Sequence, residues 1–119
     1  MVQGSVGTSK TRFIKAIEKR YHELSYFALG SGATGAGMIN QCFEILPHFL
    51  LIDEIEDLRQ SDQASLLSLM QDGVLTETKV SKTRRIELKC SVFATCNQLK
   101  RLRQPLLSRF MVTALTYEN

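Results

Sequence analysis

No apolar run in this chain is long enough to span a membrane, and no basic-then-apolar leader opens it. Those absences exclude a spanning helix and a cleaved secretory signal, so the expected location is cytoplasmic. The three cysteines, Cys42, Cys90 and Cys96, are odd in number and lack C-x-x-C spacing. Neither a disulfide framework nor a zinc site is indicated, and they read as small buried hydrophobes. The two histidines, His22 and His48, have no ligand-spaced partners, which favours helix-surface or loop positions over metal binding. A net charge of +3 is too small to argue for nucleic acid by itself; its distribution matters more than its sum.

What is present fits one domain, 1–119, complete or partial. With 119 residues, 44% apolar and 23% charged, the chain can bury a modest core. Gly4, Ser5, Val6, Gly7, Thr8, Ser9, Lys10 and Thr11 match the phosphate-loop pattern G-x-x-x-x-G-K-[ST], except that Ser9 takes the place of the second glycine. In such a loop the backbone amides and the positive end of the following helix face phosphate oxygens. Lys10 neutralises the outer phosphates and the Thr11 hydroxyl takes a position on Mg²⁺. If the Ser9 position needs a left-handed backbone, a non-glycine residue there costs about 1–2 kcal/mol. The alternative for the octapeptide alone is a Gly/Ser-rich turn before an amphipathic helix. Phe13, Ile14, Ile17, Tyr21 and Leu24 give that helix, over Thr11–Leu24, one apolar stripe.

The second half of a nucleotide site follows. Phe49-Leu-Leu-Ile52 is a continuous apolar run ending in Asp53 and Glu54, the pattern of a strand buried on both faces whose carboxyl end opens into a ligand crevice. Asp53 is placed to hold Mg²⁺ through water and Glu54 to orient or deprotonate the attacking water. Alternatively Asp53, Glu54, Glu56 and Asp57 begin a solvated acidic loop.

The rest of the chain alternates strand and helix. Ser25–Leu29 reads as a strand, and the glycine-rich stretch from Gly30 to Gly37 leads to a helix over Met38–Leu46 that Pro47 closes. Ser61 can cap a helix over Asp62–Gln71, with Ala64, Leu67 and Met70 inward and Asp72-Gly73 ending it. Val74–Val80 and Arg84–Leu88 read as a β-hairpin turning at Ser81 and Lys82. A buried strand over Cys90–Thr95 ends in Asn97, which either holds the water and senses the γ-phosphate or is a turn-forming asparagine. A last strand runs over Met111–Leu115.

The order phosphate loop, Leu51-Ile-Asp-Glu-Ile55, hairpin, Thr95-Cys-Asn97 and Pro105-Leu-Leu-Ser-Arg-Phe110 resembles the AAA+ ATPases nearly end to end. The basic hairpin and the Ser-Arg-Phe ending resemble the minichromosome-maintenance helicases and RuvB-like branch-migration motors, with MoxR-type ATPases as relatives. The resemblance implies a three-layer αβα P-loop NTPase with a parallel sheet ordered 5-1-4-3-2 and an inserted hairpin. With only Met1, Val2 and Gln3 before the loop, the first core strand is expected to be missing, as is the helical lid. ATP and Mg²⁺ are the implied cofactors, with Glu54 as catalytic base, Asn97 as sensor and Arg109 as the finger reaching a neighbouring subunit in a homo-oligomeric ring, a hexamer in the intact protein. The alternative for Arg109 is a surface ion pair. Lys79, Lys82, Arg84 and Arg85 cluster on the hairpin, where they either track a DNA backbone or keep an edge hairpin soluble. The competing functions are a MoxR-like protein remodeller and a nucleotide-binding fragment without activity.

Overall fold

The computed structural model describes residues 1–4, 10–32, 37–79, 81–110 and 113–114, without the side chains of 32, 78, 79, 113 and 114. The phosphate-loop residues Ser5–Ser9 lie outside the described residues, as do Val80 and all but 113–114 of the expected last strand.

The apolar runs form a parallel sheet. Its strands are β1 (Val2–Gln3), β2 (Ser25–Leu29), β3 (Phe49–Asp53), β6 (Ser91–Cys96) and β7 (Thr113–Ala114), in the spatial order β2-β3-β6-β1-β7. This corrects the expectation that the first core strand is missing. Two residues fill the central slot: Val2 and Gln3 pair in parallel with Thr95 and Cys96 on one side and with Thr113 and Ala114 on the other. The Gly4 N–H extends the ladder by donating to the Cys96 carbonyl at 3.0 Å. A strand this short holds its place because both of its edges are paired and Val2 is buried.

Helices cover both faces. On one side lies α1 (Lys10–Arg20), which ends four residues earlier than its apolar periodicity predicts and passes into a 3₁₀ turn at His22–Leu24. Ile14 is fully buried there, whereas Phe13, Tyr21 and Leu24 stay partly exposed. Tyr21 packs on Phe49 at 5.0 Å and Phe13 on Phe93 at 6.4 Å, between ring centroids. Because side chains alternate along a strand, Leu50 and Ile52 point to the opposite face. There they join Ala28, Met38, Ile39, Cys42, Leu66, Leu69 and Ala94 in the main core, under α2 (Gly37–Ile45), α3 (Gln60–Asp72) and the short α4 (Gln104–Leu107).

Two helix details differ from the sequence pattern. Helix α3 starts at Gln60 with Arg59 at its cap and no side-chain cap bond, so Ser61 lies within the helix. Its buried face is Asp62, Gln63, Leu66 and Leu69; Leu67 and Met70 are half-buried and Ala64 is exposed. The inward stripe is therefore rotated by one residue, since α3 must cover both the sheet and the hairpin strand that follows it. Helix α2 ends at Ile45, and Leu46 takes a positive φ of 52° before buried Pro47, doing the stop that glycine usually performs. At the end of α3, Gly73 does this with φ 65°, its N–H donating to the Leu69 carbonyl.

The inserted hairpin is β4 (Val74–Lys79) and β5 (Lys82–Glu87), a separate two-stranded antiparallel sheet. Its register pairs Lys79 with Lys82, one residue earlier than the expected turn at Ser81 and Lys82. Burial also sets the thiols: it pushes Cys42 up to about 12 and Cys90 and Cys96 up to about 11, as expected of cysteines that pack as hydrophobes.

Glycine is needed at Gly30 for a steric reason. A Cβ there would lie 2.1 Å from the Glu54 carbonyl oxygen, a backbone atom with little freedom to retreat. At Gly73 there is open space, and only the left-handed backbone resists a side chain. Gly30→Ala should therefore destabilise the fold by about 1–3 kcal/mol or more through overpacking. Gly73→Ala should cost about 1 kcal/mol, as a conformational penalty alone. Urea unfolding of both variants checks this, and equal losses would contradict the close approach at Gly30.

Candidate functional site

Parallel pairing of β3 with β6 aligns Ile52 with Ala94, which brings Asp53 beside Thr95 at the carboxyl edge of the sheet. The start of α1 arrives at the same edge from β1. Lys10, the first residue of α1, is buried, and the neighbouring Thr11 hydroxyl donates to Asp53 Oδ2 at 3.2 Å. The phosphate-loop lysine and threonine positions and the acidic strand end, far apart in sequence, thus meet at one corner.

Asp53 is only 8% exposed, so its carboxylate has to be satisfied locally. One oxygen accepts from Thr11; the other, Oδ1, accepts a short bond from the fully buried Thr95 hydroxyl. The same Thr95 oxygen accepts the Glu54 N–H at 3.0 Å. Glu54 leaves the strand in a left-handed conformation, φ 58° and ψ 55°. That backbone costs a non-glycine residue on the order of 1–2 kcal/mol. It is held by Thr95 on one side and by the close approach of Gly30 on the other, while Ser31 Oγ donates to Glu54 Oε2 at 3.3 Å. The half-exposed Glu54 side chain is thereby turned off the strand axis at the carboxyl edge of the sheet.

The acidic residues after Glu54 do not form a solvated loop. Ile55–Asp57 is a 3₁₀ turn in which Glu56 is 5% exposed. Its Oε2 accepts the N–H groups of Asn97 at 2.8 Å and Gln98 at 2.9 Å, and the Cys96 thiol lies beside the carboxylate. Asp57 pairs with Arg101 at 2.7 Å. Asn97, at the carboxyl end of β6, also has its carbonyl oxygen within 3.4 Å of Gln3 Nε2, tying it to β1. Glu56, Thr95, Gly30 and Ser31 carry functions of placement that sequence reasoning missed. Only Thr95 left a legible signal, as a polar residue closing a buried strand next to the one ending in Asp53.

The hairpin cations divide. Lys82 and Arg85 are exposed, and the Lys79 side chain lies outside the described residues. Arg84 turns inward: its Nε donates to Glu77 Oε1 at 3.0 Å, its Nη2 to Asn40 Oδ1 at 2.8 Å, and its guanidinium stands 4.3 Å over the Phe43 ring. Strand alternation sets Arg85 on the face opposite Arg84, which shares its face with Ile86 and lies opposite Glu77 in register; Lys82 is on the Arg84 face but at the exposed turn end of the hairpin. Arg109 follows α4 with an exposed side chain, and its backbone N–H donates to the Leu106 carbonyl.

Sheet order and the hydrogen-bonded acidic strand end together define an α/β fold of the P-loop NTPase type. Residues 1–116 match the AAA family, described as the ATPase family associated with various cellular activities, and the chain belongs to that family. It is also similar to the DNA replication licensing factor mcm2 of Schizosaccharomyces pombe, 25% identical over 139 aligned positions covering 92% of this chain. The DNA replication licensing factor MCM2 of Oryza sativa, in both subspecies indica and japonica, is 25% identical over 141 positions covering 94%. The chain spans 17% of the length of the first relative and 15% of the other two. Family membership makes this an ATP-binding domain. Among the described residues, no helix is long and apolar enough to cross a membrane.

Removing the Thr95 hydroxyl should show how much rests on it. Thr95→Val leaves the Glu54 N–H and one Asp53 oxygen without their partner, at an expected cost of about 1–3 kcal/mol. Thr95→Ser should stay close to the parent. Urea midpoints decide the matter, and a valine variant as stable as the serine variant would mean the hydroxyl is dispensable.

Proposed function

We propose that this domain hydrolyses ATP with Glu54 as the base that activates water, Lys10 binding the outer phosphates, and Asn97 sensing the γ-phosphate. The observation that carries the reading is the bond from Thr11 to Asp53, which joins the end of the phosphate-loop motif to the acidic strand end. Thr11 donates its proton in that bond, so its oxygen lone pairs remain available, and with Asp53 it offers the hard oxygen donors that suit Mg²⁺. The ion, when bound, neutralises charge developing on the transferred phosphate. The Gly4 N–H donates to the Cys96 carbonyl, so in this reading the backbone amides of Ser5, Val6, Gly7, Thr8 and Ser9 are the ones that serve the phosphates. Arg109, exposed beyond α4, reaches the site of an adjacent copy in a ring assembly.

Three substitutions separate these roles. Glu54→Gln should bind ATP as the parent does and lose turnover. Arg109→Ala should likewise keep nucleotide and lose turnover in assembled protein, where such fingers are worth about 10³–10⁵ in rate. Lys10→Ala should weaken binding itself. Equilibrium binding and phosphate release measured on the same preparations check all three; parental turnover by Glu54→Gln would remove the base assignment.

The substrate reading is DNA translocation, supported by the similarity to proteins named for DNA replication and by the cations exposed on the hairpin. A protein remodeller is the second reading, and the absence of aromatic residues from the hairpin strands disfavours it. Arg84 is engaged with Glu77 and Phe43, so phosphate contact falls to Lys82 and Arg85, with Lys79. On duplex DNA, neutralising Lys82 and Arg85 together should flatten the log–log salt slope by nearly two units, at about 0.9 per phosphate. Neutralising Arg84 should instead destabilise the fold and leave the slope alone. An unchanged slope in the double variant would favour the remodeller.

A further inference from the structure

We infer that Glu56 is the positioning residue that fixes the sensor turn against the catalytic base, so that Asn97 and Glu54 act as one rigid unit. The inference rests on the hydrolysis reading above. Glu56 itself faces neither phosphate nor metal in that reading. It is a buried carboxylate bonded to backbone at the end of β6, and its role must lie in what it holds.

What it holds is specific. The N–H groups of Asn97 and Gln98 emerge where β6 ends, with no further strand residue to pair them, and both converge on one oxygen, Glu56 Oε2, at 2.8 and 2.9 Å. Two charge-assisted bonds from consecutive amides fix the direction of the peptide plane between them and hence the place from which the Asn97 side chain departs. Among the described residues the second oxygen, Oε1, is buried without a hydrogen-bond partner, so those two amides, with the Cys96 thiol beside the carboxylate, hold the group in this low-polarity site. Glu56 also lies two residues beyond Glu54, on the same 3₁₀ turn, which leaves little slack between base and clasp. Two further ties close the unit: the Glu54 N–H to Thr95 in β6 behind it, and Asp57 to Arg101 ahead of it.

A rigid link of this kind acts on the chemical step rather than on binding. In the hydrolysis reading nucleotide is held through Lys10, Thr11 and the loop amides, whereas Glu56 bonds the amides of Asn97 and Gln98. Loosening the clasp lets Asn97 drift relative to Glu54, and a misplacement of about 1 Å is enough to cost on the order of 100-fold in rate.

The test compares Glu56→Ala with Glu56→Gln in the full chain. Glutamine keeps one acceptor oxygen at the right reach; alanine keeps none. Expected for alanine is a Kd for a fluorescent ATP analogue near the parent's, with kcat lowered roughly 10- to 100-fold. Glutamine should recover most of kcat. Amide hydrogen exchange by NMR, read at Asn97 and Gln98, should be slow in the parent and the glutamine variant and fast in the alanine variant. Parental kcat in Glu56→Ala despite fast exchange at both amides would overturn the inference. So would a loss of kcat shared equally by both variants, or one accompanied by an equal loss of nucleotide affinity, since general damage predicts that pattern. A parent that binds ATP but releases no phosphate would sink the hydrolysis reading instead. The clasp would then stand or fall on exchange alone, and amides no slower in the parent than in Glu56→Ala would refute it.

Discussion

A carboxyl group at the end of a buried strand must be hydrogen-bonded or it will not stay there, and the way Asp53 meets that requirement organises the rest of the molecule. Its two oxygens recruit one hydroxyl from the first turn of α1 and another from β6. Those bonds can form only if β3 and β6 are neighbours in parallel and α1 starts at their carboxyl edge. The apolar core supplies the driving force for collapse without specifying which strand lies beside which. The polar cluster at Asp53 is selective in a way that the core is not.

The sheet and the corner where its functional groups meet were legible in the sequence because both depend on local pattern. Ser25–Leu29 and Phe49–Asp53 are strands where apolar runs end against charge or glycine. What pattern could not show was anything decided between elements. The face of α3 is set by the hairpin lying against it, which moved the buried stripe from Leu67 and Met70 to Leu66 and Leu69. Glu56 looked like part of a solvated acidic stretch because its partners are backbone amides, which carry no signature in sequence. Val2 and Gln3 looked too few to make a strand because the count ignored that both of their edges would be paired.

The hairpin gives the same lesson for charge. Four cations close together in sequence suggest one basic surface, yet pleating sends Arg85 to the face opposite Lys82 and Arg84, and Arg84 is spent on Glu77, Asn40 and Phe43. Fixing the hairpin to α2 by a guanidinium stacked on an aromatic ring sets where Lys82 and Arg85 are displayed. A structural cation and displayed ones therefore divide the labour within a single strand.

The two-residue β1 makes the middle of this sheet its mechanical seam. Among the described residues, β7 joins the sheet through β1, so the fold resembles two plates riveted by Val2, Gln3 and the Gly4 N–H. The rivet runs directly into the phosphate-loop residues. Tension on the backbone at Gly4 is therefore borne by the joint between the plates.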